Sequence, residues 1–297
     1  MNVKVFQAVA CVCFVVGAVS AALGTNALIL NVPDWNQPNN YGPPPNGGDY
    51  PSWCSPTAGA DLVGYWEDAK GKLGLTDRVN PGSVPFANNA GTWNQGIWHD
   101  GTIEIGWYMD TGFWRTTNPQ QFPPLSGGTV RDRIGSGIES YIESAWTDSG
   151  SGLQKLAFDA AISQDVGLSN LAWARYIREI NAGRPILASV LHWVLPGGIF
   201  LTTDVIEGQS VDKWILGAGD PHTVCGVGYI DPDLILLEPR ITGDEWIIAQ
   251  DNWPNTARYV AVQLTSDWAQ FDYVNIPEPT TIAILALGGL AMRRRRN

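Results

Sequence analysis

Apolar residues in 54–66 recur at helical spacing: Ala58, Leu62, Val63, Tyr65 and Trp66 share a face, and Pro56 stands in the first turn, where its missing N–H costs little. This pattern predicts a helix that begins at Cys54. Residues 129–148 carry the same signal through Ile134, Ile138, Tyr141, Ile142 and Ala145. Residues 168–181 repeat it, with Asn181-Ala182-Gly183 as the stop. After Gly183 the spacing changes to that of strands, predicted at 185–193, 199–205, 213–216, 223–230, 246–250 and 259–264. Helices first and sheet afterwards is an α+β order. The Asn/Pro/Gly-rich lead 26–53 reads as loop, and 75–128, with Trp93, Trp98, Trp107 and Trp114 interleaved, as short strands and loops. No internal repeat appears, so residues 22–276 read as one elaborated domain.

The two ends read as addresses. Lys4, an apolar run over 5–19 interrupted by Gln7, and Val19-Ser20-Ala21 make residues 1–21 a secretory signal for signal peptidase. At the other end Pro277-Glu278-Pro279 is followed by an apolar stretch, 280–292, and four arginines, 293–296. This order resembles the PEP-CTERM sorting tail of Gram-negative bacteria. The resemblance implies that residues 277–297 hold the exported chain in the inner membrane until an exosortase-type enzyme processes it at the motif. Release to the cell surface or extracellular matrix would follow. The arginine cluster favours the cytoplasmic side of a membrane, and the two prolines stop a helix from running back into the domain.

Composition narrows the classes. The 297 residues are 44% hydrophobic and 16% charged, which suits a folded protein. Net charge is −11, and it becomes −15 for residues 22–276, with 13 basic and 28 acidic side chains. With no basic stripe inside the chain, nucleic-acid binding is set aside.

Of the four cysteines, Cys11 and Cys13 lie in the signal, leaving Cys54 and Cys225 for an oxidising compartment. A structural disulfide between them is one reading. In the other, Cys225 is a buried apolar thiol and Cys54 is a nucleophile. Cys54 opens a helix, whose N–H groups and dipole favour a thiolate. His222, in Asp220-Pro221-His222-Thr223-Val224-Cys225-Gly226-Val227-Gly228-Tyr229, stands at the mouth of a strand, and Asp251-Asn252-Trp253 follows another. A Cys–His nucleophile needs this division of labour: a stabilised thiolate, an imidazole to take its proton, and a third group to orient the ring.

The ordered set resembles a papain-like cysteine peptidase, nearest to the bacterial family that processes double-glycine leader peptides. Cys54-Ser55-Pro56-Thr57-Ala58 is similar to its nucleophile helix, with Ser55 in place of the usual Gly. Gly183-Arg184-Pro185 resembles the strand entry before the histidine, His222 to Tyr229 the histidine strand, and Gln250-Asp251-Asn252-Trp253 the segment of the orienting residue. The resemblance implies a papain-like fold, a nucleophile helix in an N-terminal helical part followed by an antiparallel sheet. It implies a thiol peptidase acting on peptide or protein substrates without cofactor or metal. Cys54 would attack, His222 shuttle the proton, and Asp251 orient the ring, with Asn252 as the alternative. Gln37, 17 residues before Cys54 across a Pro/Gly-rich insertion, would complete an oxyanion hole.

Several residues have competing readings. His99 and His192 are rival bases that read as structural histidines. Asp231-Pro232-Asp233 and residues 267–272 read as solvated turns; neither has EF-hand spacing for Ca²⁺. The alternative to an enzyme is a non-catalytic matrix or surface protein binding glycan or peptide, suggested by the sorting tail and the Trp/Asn/Gly-rich middle.

Overall fold

The computed structural model describes residues 26–35, 54–76, 105, 108–109, 129–147, 154–193, 198–232, 240–252 and 258–277. Three helices are described: α1 (Cys54–Asp68), α2 (Arg131–Glu143) and α3 (Asn170–Asn181). The strands are β1 (Asn26–Leu28), β2 (Trp146–Thr147), β3 (Gln154–Lys155), β4 (Ala161–Val166), β5 (Ile186–Val190), β6 (Ile199–Ile206), β7 (Gln209–Ile215), β8 (His222–Ile230), β9 (Trp246–Gln250), β10 (Val260–Gln263) and β11 (Trp268–Asn275).

Nine of the described strands form one sheet, eight in the order β4-β11-β5-β8-β9-β10-β7-β6 and β1 off that path beside β8, while β2 and β3 pair separately. β1 pairs with residues 228–230 of β8, on from the stretch 222–226 that β5 takes. Pairing is antiparallel except between β7 and β10, which run parallel, so the expectation of a purely antiparallel sheet is corrected. Helices and sheet share one core, with α1 packed on β8 and β5 and α3 on β8.

The strand of His222 is shaped by its two glycines. A Cβ at Gly226 would lie 2.6 Å from the Tyr176 hydroxyl of α3, and one at Gly228 would lie 2.4 Å from the Ala27 carbonyl oxygen of β1. Both partners need that space: Tyr176 donates to the Gly228 carbonyl at 3.0 Å, and β1 pairs with β8 there. α3 is capped by the preceding Ser169, whose hydroxyl accepts the Ala172 N–H at 3.1 Å, a cap that adds on the order of 1 kcal/mol.

Three sequence expectations are corrected, and one strand was not foreseen. Asn26–Leu28, read as loop, is β1, a short segment with little apolar signal. Ala161–Val166 is β4, an edge strand too exposed to show alternation. With β1 and β4 preceding α3, helices and strands interleave rather than segregating. Residues 267–272, read as a solvated turn, are mostly β11, which the sheet buries between β4 and β5. Its Asp272 lies beneath α2, where the amides of Gln164 and Gln270 donate to its two oxygens at 2.9 and 2.7 Å. Burial pushes that carboxyl from 3.8 to about 6 against those two hydrogen bonds. The expectations for 36–53 and for Trp93, Trp98, His99, Trp107 and Trp114 lie outside the described residues.

Candidate active site

Cys54 is the first residue of α1 and His222 the first of β8, so packing the helix on the strand brings thiol and imidazole together. Both are nearly buried, at 8% and 7% exposure. Ser55, standing where the resembled family has Gly, fastens this junction. Its hydroxyl donates to Thr223 Oγ1 at 2.8 Å, and Thr223 Oγ1 meets Ser189 Oγ of β5 at 3.2 Å.

The ring of His222 is held by the main chain of Asp251, with Nε2 and the Asp251 carbonyl oxygen 2.9 Å apart. That bond leaves Nδ1 for the thiol. Burial pushes the Cys54 thiol up, but the His222 charge, a hydrogen bond with its ring and the Thr223 N–H outweigh it, lowering the thiol from 9.0 to about 7. For His222, burial lowers the pKa, while the facing Cys54 charge, their hydrogen bond and Asp251 raise it above 6.5. Each group favours the charged form of the other, the signature of a thiolate–imidazolium pair.

Asn252 acts as a clasp. Its backbone adopts φ +63°, and its Nδ2 donates to the Cys54 carbonyl at 3.4 Å and the Thr223 carbonyl at 3.3 Å. The turn after β9 is thereby tied to both elements that carry the thiol and the imidazole. Trp193, beyond β5, covers the imidazole, with ring centroids 5.3 Å apart at a 35° tilt, and rests edge-on against Trp268.

Behind the site the lead segment is anchored to α1. The Trp35 N–H donates to Asp61 Oδ1 at 2.9 Å, and the Trp35 ring lies where a Cβ on Gly64 would be, 2.3 Å away. Gln250 and Arg258 donate to the Val32 carbonyl at 3.0 and 2.9 Å. Burial raises Asp61 well above the usual carboxylate range and pushes Asp34 to about 6 despite Arg258.

Of the sequence candidates, the structure brings together Cys54, His222, Asp251 and Asn252. Gln37 lies outside the described residues, two positions past the anchored Trp35. Cys54 and Cys225 are both free thiols; burial in the core pushes Cys225 well above its ordinary value. His192, expected within a strand, is exposed past the end of β5, where its Nδ1 lies 3.0 Å from the Gly219 carbonyl. Sequence reasoning missed Trp193 and the hydroxyl pair Thr223 and Ser189. Position offered a signal for Trp193, an aromatic just past a strand that borders the histidine strand.

Residues 275–296 match the PEP-CTERM protein-sorting motif family. The motif marks a chain for export, with C-terminal membrane anchoring before processing by an exosortase-type enzyme. Pro277 is its one proline among the described residues; Glu278 and Pro279 lie outside them. No described helix is long and apolar enough to cross a membrane. No curated protein sequence matches the chain. Among solved structures it is similar to active wild-type interpain A, a cysteine protease of Prevotella intermedia. That similarity is 11% identity with a TM-score of 0.43, over 85% of this chain and 95% of the other.

Proposed function

We propose that this chain is an exported papain-like thiol hydrolase that cleaves peptide bonds. The observation that supports it is the hydrogen-bonded pair of Cys54, at a helix N-terminus, and His222, held by Asp251, with the thiol lowered to about 7. A thiolate poised near neutral pH is what acyl transfer to sulfur requires.

In this reading the Cys54 thiolate attacks the substrate carbonyl carbon, and its C–O double bond opens to an oxyanion. The Cys54 N–H at the start of α1 stabilises that oxyanion, with the Gln37 amide as the second donor. His222 then gives its Nδ1 proton to the leaving amine as the C–N bond breaks, leaving an acyl-thioester. Water, deprotonated by the now neutral ring, attacks the thioester, releases the acid and restores the thiol. Asp251 keeps the ring in the tautomer and orientation this needs, through its main-chain oxygen. Peptides or proteins outside the cytoplasm are the substrates, and signal peptidase and an exosortase-type enzyme are the processing partners.

The test is cleavage of an unbiased peptide library by the purified chain beside its Cys54→Ala variant. Cleavage that vanishes in the variant supports the reading. Cleavage unchanged in Cys54→Ala overturns the role of Cys54, and no cleavage from either protein, with peptides or glycans still bound, assigns the chain to a non-catalytic surface role.

A further inference from the structure

The sorting motif does not hang from a linker. Ile276, between the end of β11 and Pro277, is buried, and Lys72, 1% exposed, donates from Nζ to the Pro277 carbonyl at 2.6 Å. Only Glu278 and Pro279 then separate Pro277 from residue 280, where the apolar stretch of the tail begins, three chain steps with a reach of at most about 10 Å. The point where Lys72 holds the chain therefore lies beside the membrane whenever the tail is inserted.

That point is at the opposite end of the domain from the candidate active site, by two independent paths. α1 runs from Cys54 at the site to Asp68, and the Lys72 N–H bonds back to the Trp66 carbonyl at 3.1 Å, so Lys72 sits past the far end of a helix about 22 Å long. β11 starts at Trp268, which pairs with Val190 of β5, itself paired with His222, and runs away from them to Asn275. Two leucines flank the clamp with their side chains in solvent. Leu73 follows Lys72 in the chain and is 72% exposed. Leu156 is 48% exposed and donates its N–H to the Gly74 carbonyl at 2.6 Å.

We infer that this end is seated on the outer face of the membrane that holds the chain's own tail, with Leu73 and Leu156 as its lipid contacts and Lys72 fixing the exit at Pro277. The domain is strongly acidic, so attraction to anionic headgroups cannot supply the contact, and the apolar pair must. Tethering by the tail keeps the local lipid concentration high enough for two side chains to suffice. The candidate cleft then faces away from the bilayer. It serves substrates outside the membrane and is out of reach of its own Pro277-Glu278-Pro279 motif. None of this requires Cys54 to be reactive, so it stands or falls separately from the peptidase reading.

The experiment uses the full chain with its tail inserted in vesicles of phosphatidylethanolamine and phosphatidylglycerol. Cys11, Cys13 and Cys54 are replaced by Ala, and one environment-sensitive dye is attached at Leu73→Cys, Leu156→Cys or Leu191→Cys, the last at the site end of β5. Nitroxide-headgroup lipid should quench the dyes at 73 and 156 at least threefold more than the dye at 191, with blue-shifted emission. Both leucines are exposed, and either position alone decides if the other variant folds poorly. Equal quenching at all three positions, or stronger quenching at 191, overturns the proposal.

Discussion

His222 and Asp251 meet through the main chain: the ring's Nε2 lies 2.9 Å from the Asp251 carbonyl oxygen. A carbonyl orients an imidazole as firmly as a carboxylate does but carries no full charge. The Asp251 carboxylate contributes to the raised His222 pKa only as the smallest of its causes.

Asp251→Asn therefore keeps the ring in place. The rate of Cys54 alkylation by a thiol-directed epoxide should fall by less than about tenfold, since one pKa unit is tenfold in a protonation equilibrium. In a triad built on an orienting carboxylate, the same exchange costs about four orders of magnitude. A loss of that size would show that the carboxylate holds the ring.

Asn252 makes a prediction about stability. Replacing it with Ala removes two hydrogen bonds and leaves a Cβ at φ +63° without the local polar contacts that make Asn tolerant there. Asn252→Gly loses the same hydrogen bonds without the backbone strain. Urea unfolding should rank wild type above Gly and Gly above Ala, the last two separated by about 1 kcal/mol. An Ala variant as stable as the Gly variant would place the constraint elsewhere.

Asp272 and Asp34 predict a pH dependence. Both carboxyls are raised to about 6 by burial, so between pH 4 and 6 the folded chain keeps protons that the unfolded chain has released. Stability from these groups is present below the unfolded pKa and is lost as pH rises through 6, by on the order of 2–3 kcal/mol each at most. The urea midpoint should be higher at pH 5 than at pH 7.5, and Asp272→Asn should flatten that slope. An identical slope in the variant would remove Asp272 from the account.

Trp193 shields the imidazole from water. Trp193→Phe keeps an aromatic cover and should leave alkylation of Cys54 within about threefold of wild type, while Trp193→Ala should lower it more than tenfold and cost about 3–5 kcal/mol of stability. Equal rates in the two variants would make Trp193 a packing residue only.

The local patterns that predicted α1, α3, β5 and β9 are apolar faces and runs that also face the core, and there reading and structure coincide to within a few residues. β11 was hidden because Gln270 and Asp272 are buried with their partners, so polar residues stand where burial alone would put apolar ones. β4 was hidden for the opposite reason: as an edge strand it exposes nearly every side chain. At the site, Cys54 and His222 were legible because each opens an element with a chemistry-bearing side chain. The family pattern points to Asp251 as the orienting residue but not to the main-chain oxygen that meets the ring, because a carbonyl oxygen belongs to every residue and leaves no trace in the sequence. Ser55 was visible as a departure from the family pattern, and only the structure supplied its partner, Thr223.

The central claim is that His222 holds Cys54 as a thiolate near neutral pH. The most direct measurement is the rate of epoxide labelling of Cys54 in the full chain from pH 5 to 10, with the site mapped by mass spectrometry, for wild type and His222→Ala. The account predicts a rise with a midpoint near 7 in wild type. In the variant the midpoint should move to 9 or above, because burial remains when the imidazole is gone. A wild-type midpoint at 9, or the same midpoint in both proteins, would contradict it.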